Sequence, residues 1–137
     1  KFIVETFEKF SRITFQREGD YKNIPPEDIN FYKLKYLPEG FEILIDQKGY
    51  HFYNLEFSRG EDIISFSQSI AGAGNMTVDT EGAQIEDITF RGFEGIYFLN
   101  KGYHTIVWLE DGYLFYVAGT LEKDEIFKIG ENLAPEN

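Results

Sequence analysis

The chain has 137 residues, a length that fits one domain and can bury roughly two thirds of the surface that its unfolded form exposes. Its 13 Lys plus Arg stand against 24 Asp plus Glu, and the resulting net charge of −11 disfavours nucleic acid and anionic membrane surfaces as partners. The absence of cysteine excludes disulfides and thiolate chemistry but leaves the compartment open.

The N-terminal segment is predicted to be an amphipathic helix. Ile3, Phe7 and Phe10, helped by Val4, fall at helical spacing, and charged residues occupy the other side. The chain opens with Lys1 and not Met, so we expect residues 1–137 to be a single domain cut from a longer protein in which a membrane anchor precedes it.

A run of strands is predicted after Gly40. Phe41–Asp46, His51–Phe57 and Ile63–Ser69 have a strand-like pattern and are separated by the glycine-containing turns Gln47-Lys48-Gly49 and Ser58-Arg59-Gly60, as is typical of an antiparallel meander. The next segment, AGAGN, has small residues and no periodicity, which predicts a mobile loop. This loop runs from Ala71 to Asn75 and includes Gly72 and Gly74.

Four more strands are predicted between residues 84 and 119. Gln84–Arg91 is the first, and three others lie within Glu94–Gly119 with turns at Asn100-Lys101-Gly102 and Asp111-Gly112. Asp-Gly is a favoured type I′ hairpin turn.

The last element predicted is a closing helix, because Ile126, Ile129 and Leu133 form one apolar stripe and acidic residues occupy the first turn. The fold class is therefore α+β: a largely antiparallel sheet of six or seven strands with an N-terminal helix and a C-terminal helix packed on it. The strands carry apolar residues on both faces, and the closing helix can cover one of them. The other face needs the first helix, a curled-over part of the sheet or a partner.

Six short motifs carry a resemblance that covers nearly the whole chain. They are Tyr36-Leu37-Pro38-Glu39-Gly40-Phe41-Glu42, Ile64-Ser65-Phe66-Ser67-Gln68, Asp79-Thr80-Glu81-Gly82-Ala83, Gly92-Phe93-Glu94-Gly95, Trp108 with Asp111-Gly112-Tyr113, and Gly119-Thr120-Leu121-Glu122-Lys123-Asp124-Glu125. In this order they resemble the Firmicute family known as domain of unknown function 4367.

The resemblance implies a location more than a chemistry. Members of that family typically form the extracytoplasmic C-terminal part of proteins with a single membrane span, and some are similar to anti-sigma or sigma-regulator proteins. The family has no assigned catalytic activity, so no functional residue is transferred. Similar sequences often have Ser where Glu122 stands, and Thr120 is therefore a candidate cap for the closing helix.

The sequence predicts a protein that is not an enzyme and that holds neither metal nor cofactor. His51 and His104 are isolated on separate strands without ligand spacing. No serine lies in a GxSxG setting, and the AGAG glycines lack the lysine of a phosphate-binding loop. A pair of catalytic carboxylates stays open, because the spatial separation of the many acids is invisible in sequence.

The candidate binding face consists of aromatic residues. Trp108, Tyr116 and Tyr97 are interpreted as one shared face that receives a ligand or partner, with the Ala71 to Asn75 loop near its rim. The same residues can instead form the core, since they carry the largest apolar area.

The functional prediction is a non-enzymatic, extracytoplasmic sensing or protein-interaction domain of a membrane-anchored Gram-positive protein, in which the first helix couples binding to the membrane. Its partner would be an unknown protein or apolar ligand. The alternative is a carrier of lipid or another apolar ligand, which predicts a cavity between sheet and helices. A third possibility, a cell-wall enzyme, predicts carboxylates that converge in a cleft.

Overall fold

A computed structural model gives the backbone of residues 2–6, 11–15 and 75–78, and both backbone and side chains of residues 28–70 and 83–136. The elements in chain order are β1 (Phe2–Thr6), β2 (Ser11–Phe15), β3 (Tyr32–Leu34), β4 (Glu42–Lys48), β5 (Phe52–Arg59), β6 (Asp62–Ile70), β7 (Asn75–Val78), β8 (Glu86–Phe90), β9 (Phe93–Asn100), β10 (Tyr103–Glu110), β11 (Tyr113–Gly119), α1 (Lys123–Glu131) and β12 (Leu133–Pro135).

A seven-stranded antiparallel sheet dominates the described fold, in the order β4-β5-β6-β11-β10-β9-β8. This confirms the predicted antiparallel sheet of six or seven strands. Three of its hairpins turn through two residues with positive φ at both positions, Arg91-Gly92, Lys101-Gly102 and Asp111-Gly112. That conformation is the type I′ turn, whose twist matches the twist of paired strands. Two smaller sheets have the orders β1-β2-β7 and β12-β3.

The prediction of an N-terminal helix is wrong for the residues that the structure describes. Phe2–Thr6 is strand β1 and pairs antiparallel with β2, while residues 7–10 lie outside the described residues. The segment contains β-branched residues at Ile3, Val4 and Thr6, which favour a strand because their χ1 freedom is restricted in a helix. The predicted coupling of binding to the membrane depended on a first helix, and the described residues of this segment do not form one.

The closing helix is confirmed as α1, with Asp124 and Glu125 in its first turn. Ile126 and Ile129 are fully buried against the sheet, whereas Leu133 lies in β12 and not on the helix. Thr120 does not cap the helix: its hydroxyl donates to Asp62 Oδ1 at 2.9 Å and accepts from the Ile63 N–H at 3.0 Å. Thr120 therefore ties the end of β11 to β6.

The side of the sheet under α1, called here the helix face, holds the larger core. Trp108 stacks on Phe115 at 5.2 Å between ring centroids and meets the edge of Phe90 at 4.7 Å. The side chains of Trp108 and Phe115 are fully buried. Large aromatic rings fill this layer, and such rings contribute most of the apolar area that stabilises a core.

Residues 28–34 form a strap across the helix face, and the buried side chain of Gln68 anchors it. Gln68 Oε1 accepts from the Tyr32 N–H and Gln68 Nε2 donates to the Asn30 carbonyl, both at 2.9 Å. The Asn30 N–H in turn donates to the Tyr113 hydroxyl at 2.7 Å. A buried amide is tolerated at Gln68 because the backbone of the strap satisfies it.

The buried carboxylate of Glu110 lies at the centre of a clamp that joins four elements. Arg91, in the β8–β9 turn, binds it through Nε at 2.8 Å and Nη2 at 3.2 Å, and Trp108 Nε1 donates to the same carboxylate at 3.0 Å. Arg91 Nη1 also donates to the carbonyls of Glu131 and Leu133 at 3.0 and 3.1 Å. The guanidinium thus satisfies carbonyls at and beyond the C-terminus of α1, where positive charge is favoured.

Replacing Glu110 by Gln should lower the free energy of unfolding by about 2–4 kcal/mol, because a partly buried Arg91 charge would lose its counter-charge. Urea denaturation measures this value. Glu86→Gln is the matched control, since Glu86 forms an exposed pair with Lys123 at 3.9 Å and should change stability by less than about 1 kcal/mol. Equal effects of the two substitutions would contradict the clamp.

Within the part of the chain that the structure describes, no helix has the length and apolar character needed to cross a bilayer.

Candidate functional site

The side of the sheet opposite α1, called the second face, divides into an apolar part and a polar part. Ile96, Phe98, Val107 and Leu109 are buried in the apolar part, with Ala83 and Ile85 packed against them. The polar part lies on β5 and β6, where Asn54, Glu56, Ser65 and Ser67 alternate with buried aromatic and aliphatic residues of the helix face. The second face is therefore partly core and partly a polar surface.

The predicted shared face of Trp108, Tyr116 and Tyr97 is wrong. Trp108 lies opposite Phe115, and Tyr97 lies opposite Ile106, which places both on the helix face. Tyr116 lies opposite Val107 on the second face. Directly paired residues point to the same side of a sheet, so Trp108 and Tyr116 must point to opposite sides. Trp108 is 0% exposed and serves as core.

Tyr116 borders a groove of about 620 Å³ on the second face. Six neighbouring strands and the β9–β10 turn contribute lining side chains, and the volume falls in the range typical of small-ligand sites. The side chains that point to this face are Ile45, Gln47, Asn54, Glu56, Ser65, Ser67, Phe98, Asn100, Tyr103, Thr105 and Tyr116, with Lys101 in the turn.

The groove follows from two cross-sheet rows of residues. One row runs from Gln47 through Asn54 and Ser67 to Tyr116, each paired with the next across neighbouring strands. The other row consists of Ile45, Glu56, Ser65, Ala118, Thr105 and Phe98. Small side chains lie in the middle of the second row and larger ones lie at its ends. This difference in side-chain size leaves a trough across β6 and β11.

The groove combines apolar surface with polar groups and has no dominant charge. Its lining includes one carboxylate, Glu56, and one ammonium group, Lys101. Burial raises the pKa of Tyr116, and Tyr103 adds to the increase, so the Tyr116 hydroxyl stays protonated at neutral pH. Tyr103 is 36% exposed and Ile45 is 43% exposed, which places an aromatic and an aliphatic side chain at the accessible boundary of the groove.

The loop predicted at the rim falls largely outside the described residues. This holds for Ala71, Gly72 and Gly74. Asn75 is the first residue of β7 and pairs with Thr14, so its assignment to a loop is wrong.

The sequence prediction missed most of the groove, although β6 contained a signal for it. In ISFSQSI, Ser65, Ser67 and Ser69 alternate with Phe66 and Gln68, a period of two that places serines on one face and large residues on the other. The groove also needs β6 to lie beside β11, a pairing between segments far apart in the chain. Asn54, Thr105 and Tyr103 carried no comparable local signal.

A second polar cluster lies on the helix face beside the start of α1. His104 Nδ1 and the Tyr97 hydroxyl are 2.6 Å apart, and the Lys123 ammonium lies 4.2 Å from the Tyr97 ring centroid. Burial lowers the pKa of His104, and the neighbouring Lys123 charge lowers it further. Neutral imidazole can accept a hydrogen bond from Tyr97 through Nδ1, an arrangement that protonation removes.

Metal-ligating side chains do not cluster among the residues whose side chains are described: no three His, Cys, Asp or Glu come together there. His51 is exposed between β4 and β5, and His104 bonds to Tyr97. In the groove lining, Glu56 is not accompanied by a second carboxylate, so the described groove lacks the pair that glycoside hydrolysis requires.

A family model described as Domain of unknown function (DUF4367) matches residues 31–133. The chain belongs to this family. The matched range begins one residue before β3 and contains every strand of the seven-stranded sheet together with α1, so the DUF4367 domain includes both the helix face and the groove. No curated protein and no solved structure matches the chain.

The lowered pKa of His104 makes the stability of this DUF4367 domain sensitive to acid. The unfolded state takes up a proton near the ordinary histidine pKa of about 6.5, and the folded state takes it up only at lower pH. Stability is therefore unaffected by this group above that pH and falls as the pH drops below about 6.5. Urea midpoints measured between about pH 8 and pH 5.5 should decrease with acidification.

His104→Gln should flatten this dependence because it removes the group whose pKa is lowered on folding. An identical pH profile for the wild type and His104→Gln would contradict the assignment.

Proposed function

We propose that this DUF4367 domain is a non-catalytic binding domain whose ligand or partner occupies the groove on the second face. The groove itself carries the proposal: a trough of about 620 Å³ in the middle of a rigid sheet, with polar groups on its floor and Tyr103 and Tyr116 beside them. Sites that bind small ligands combine concavity with a few convergent polar groups in this way.

The rigidity of the floor supports a binding role. Ser65 and Ser67 lie on β6, which is paired along its length with β5 on one side and β11 on the other. Strands held on both sides keep their side chains in fixed positions, which reduces the ordering cost of binding. Immediately behind the serines, Phe66 and Gln68 are fixed in the core and under the strap. The groove is therefore preorganised.

The location is the second part of the proposal: the domain lies outside the cytoplasm and is anchored to the membrane through another part of a longer protein. The implied properties of the DUF4367 family support this placement. Protease treatment of intact cells that express the full-length protein should remove the domain. Protection until the cells are lysed would contradict an extracytoplasmic location.

An apolar carrier is the competing function. Apolar side chains such as Ile45 and Phe98 provide much of the groove surface, but serine, threonine and asparagine side chains lie between them. Burying such groups against a hydrocarbon chain costs about 1–3 kcal/mol for each one that loses its hydrogen bonds. The polar groups among the lining residues therefore favour a ligand that forms hydrogen bonds as well as apolar contacts.

Fragment screening by NMR tests the site without knowledge of the natural ligand. A library of small, neutral, water-soluble fragments should shift the amide signals of Asn54, Ser67 and Thr105 more than signals elsewhere. Ser67→Phe should fill the trough and remove these shifts. The matched control is Ser69→Phe, the same substitution on the same strand and face at a residue outside the lining.

Near-UV circular dichroism checks that both variants retain packed aromatic residues. Fragments that bind only outside the groove, or that shift the groove signals equally in both variants, would contradict the proposed site.

A further inference from the structure

We infer that the groove recognises a neutral saccharide chain. This inference rests on the proposed function and names the ligand class for the same site. It depends on which functional groups line the trough, how their charges balance and which atoms remain available for bonding.

Hydroxyl and amide groups are interspersed with apolar side chains along the floor. Ser65 and Ser67 each offer one hydroxyl donor and two acceptor lone pairs, Asn54 and Gln47 offer amide donors and acceptors, and the nearly buried Thr105 lies at the bottom of the trough. A matching ligand must carry many hydrogen-bond donors and acceptors at close spacing. Sugar hydroxyls have this property, whereas a hydrocarbon chain would leave the groups on the floor unpaired.

Two aromatic side chains supply the apolar contact that a sugar ring also needs. Tyr103 and Tyr116 line the groove, and Tyr103 is more than one third exposed. A pyranose ring has polar edges and C–H groups on its faces, so it can pack on a tyrosine ring while its hydroxyls reach the floor. Tyrosine provides the same combination of an apolar ring and a polar end.

The charge balance favours a neutral ligand. Glu56 and Lys101 contribute one negative and one positive charge to the lining, and the whole chain carries −11. Polyanions are repelled by that net charge, and a polycation would meet just one carboxylate in the lining. The groove lining therefore favours neither a positively nor a negatively charged ligand.

The backbone argues against an extended peptide as the main occupant. Peptides that add to a sheet bind at a free edge, where main-chain N–H and C=O groups are unpaired. Asn54, Ser65, Ser67, Tyr116 and Thr105 lie on β5, β6, β11 and β10, each with a paired strand on both sides, whereas Gln47 lies on the edge strand β4. A peptide bound over the paired strands could contact side chains but could not form main-chain hydrogen bonds with the sheet. A saccharide needs only hydrogen bonds to side chains.

Titration of the isotope-labelled domain with cellotetraose, chitotetraose and maltotetraose tests the inference, with laurate as the apolar comparison. At least one oligosaccharide should give saturable shifts at the amides of Asn54, Ser65 and Ser67. Tyr103→Ala should weaken that binding about five- to tenfold, and Tyr103→Phe, which keeps the ring, should stay within about twofold of wild type. Ser67→Phe should abolish it and Ser69→Phe should not.

Each outcome separates this inference from the broader proposal. Absence of oligosaccharide binding up to about 10 mM, with laurate or neutral fragments still bound in the groove, would overturn the saccharide assignment and leave the binding function standing. If no probe binds in the groove, the saccharide assignment and the proposed binding function are both overturned. Oligosaccharide shifts located outside the groove would overturn the saccharide assignment as well.

Discussion

A single buried carboxylate, Glu110, holds the layers of this domain in place. Its oxygens accept from the Trp108 indole and the Arg91 guanidinium, and Arg91 reaches on to carbonyls at the end of α1 and in β12. Both ionic partners are largely shielded from water, with side-chain exposures of 20% and 7%. The clamp ties the C-terminal end of α1 to the sheet, and the buried Ile126 and Ile129 hold the helix on that face. The groove can exist on the second face because the helix face already provides the larger core.

The two faces share one set of strands but differ in side-chain size. On β6, Phe66 and Gln68 point into the core and the strap, while Ser65 and Ser67 point into the groove. Replacing the small residues by large ones would fill the trough without any change to the opposite side. A stable aromatic core and a polar binding surface are therefore encoded in alternating positions of one strand.

Much of the fold was predictable from local signals. Glycine-containing turns between strand-like segments predicted the strands of the main sheet, and the stripe containing Ile126 and Ile129 predicted α1. The structure of the first segment was not predictable from local signals. Apolar residues at positions 3, 4, 7 and 10 satisfy a helical spacing, while Ile3, Val4 and Thr6 favour a strand. Pairing with β2 resolves this conflict, and that pairing is a tertiary interaction.

The candidate site was predictable only in part, and for two different reasons. The two-residue turn at Asp111-Gly112 pairs Glu110 with Tyr113, which forces Trp108 to lie opposite Phe115 and away from Tyr116. That register could have been counted along the sequence. The groove could not be derived in this way, because it depends on the order β5-β6-β11-β10, which brings residues 54–67 beside residues 98–116. No local pattern encodes this order.

The central claim is that one face of the sheet is closed and the other holds an accessible trough. Solvent paramagnetic relaxation, measured by NMR with a soluble gadolinium chelate, tests it along β6 directly. The account predicts strong relaxation enhancement for the side-chain protons of Ser65 and Ser67 and little for those of Phe66 and Gln68. Equal protection of all four side chains would show that the trough is filled and would contradict the account.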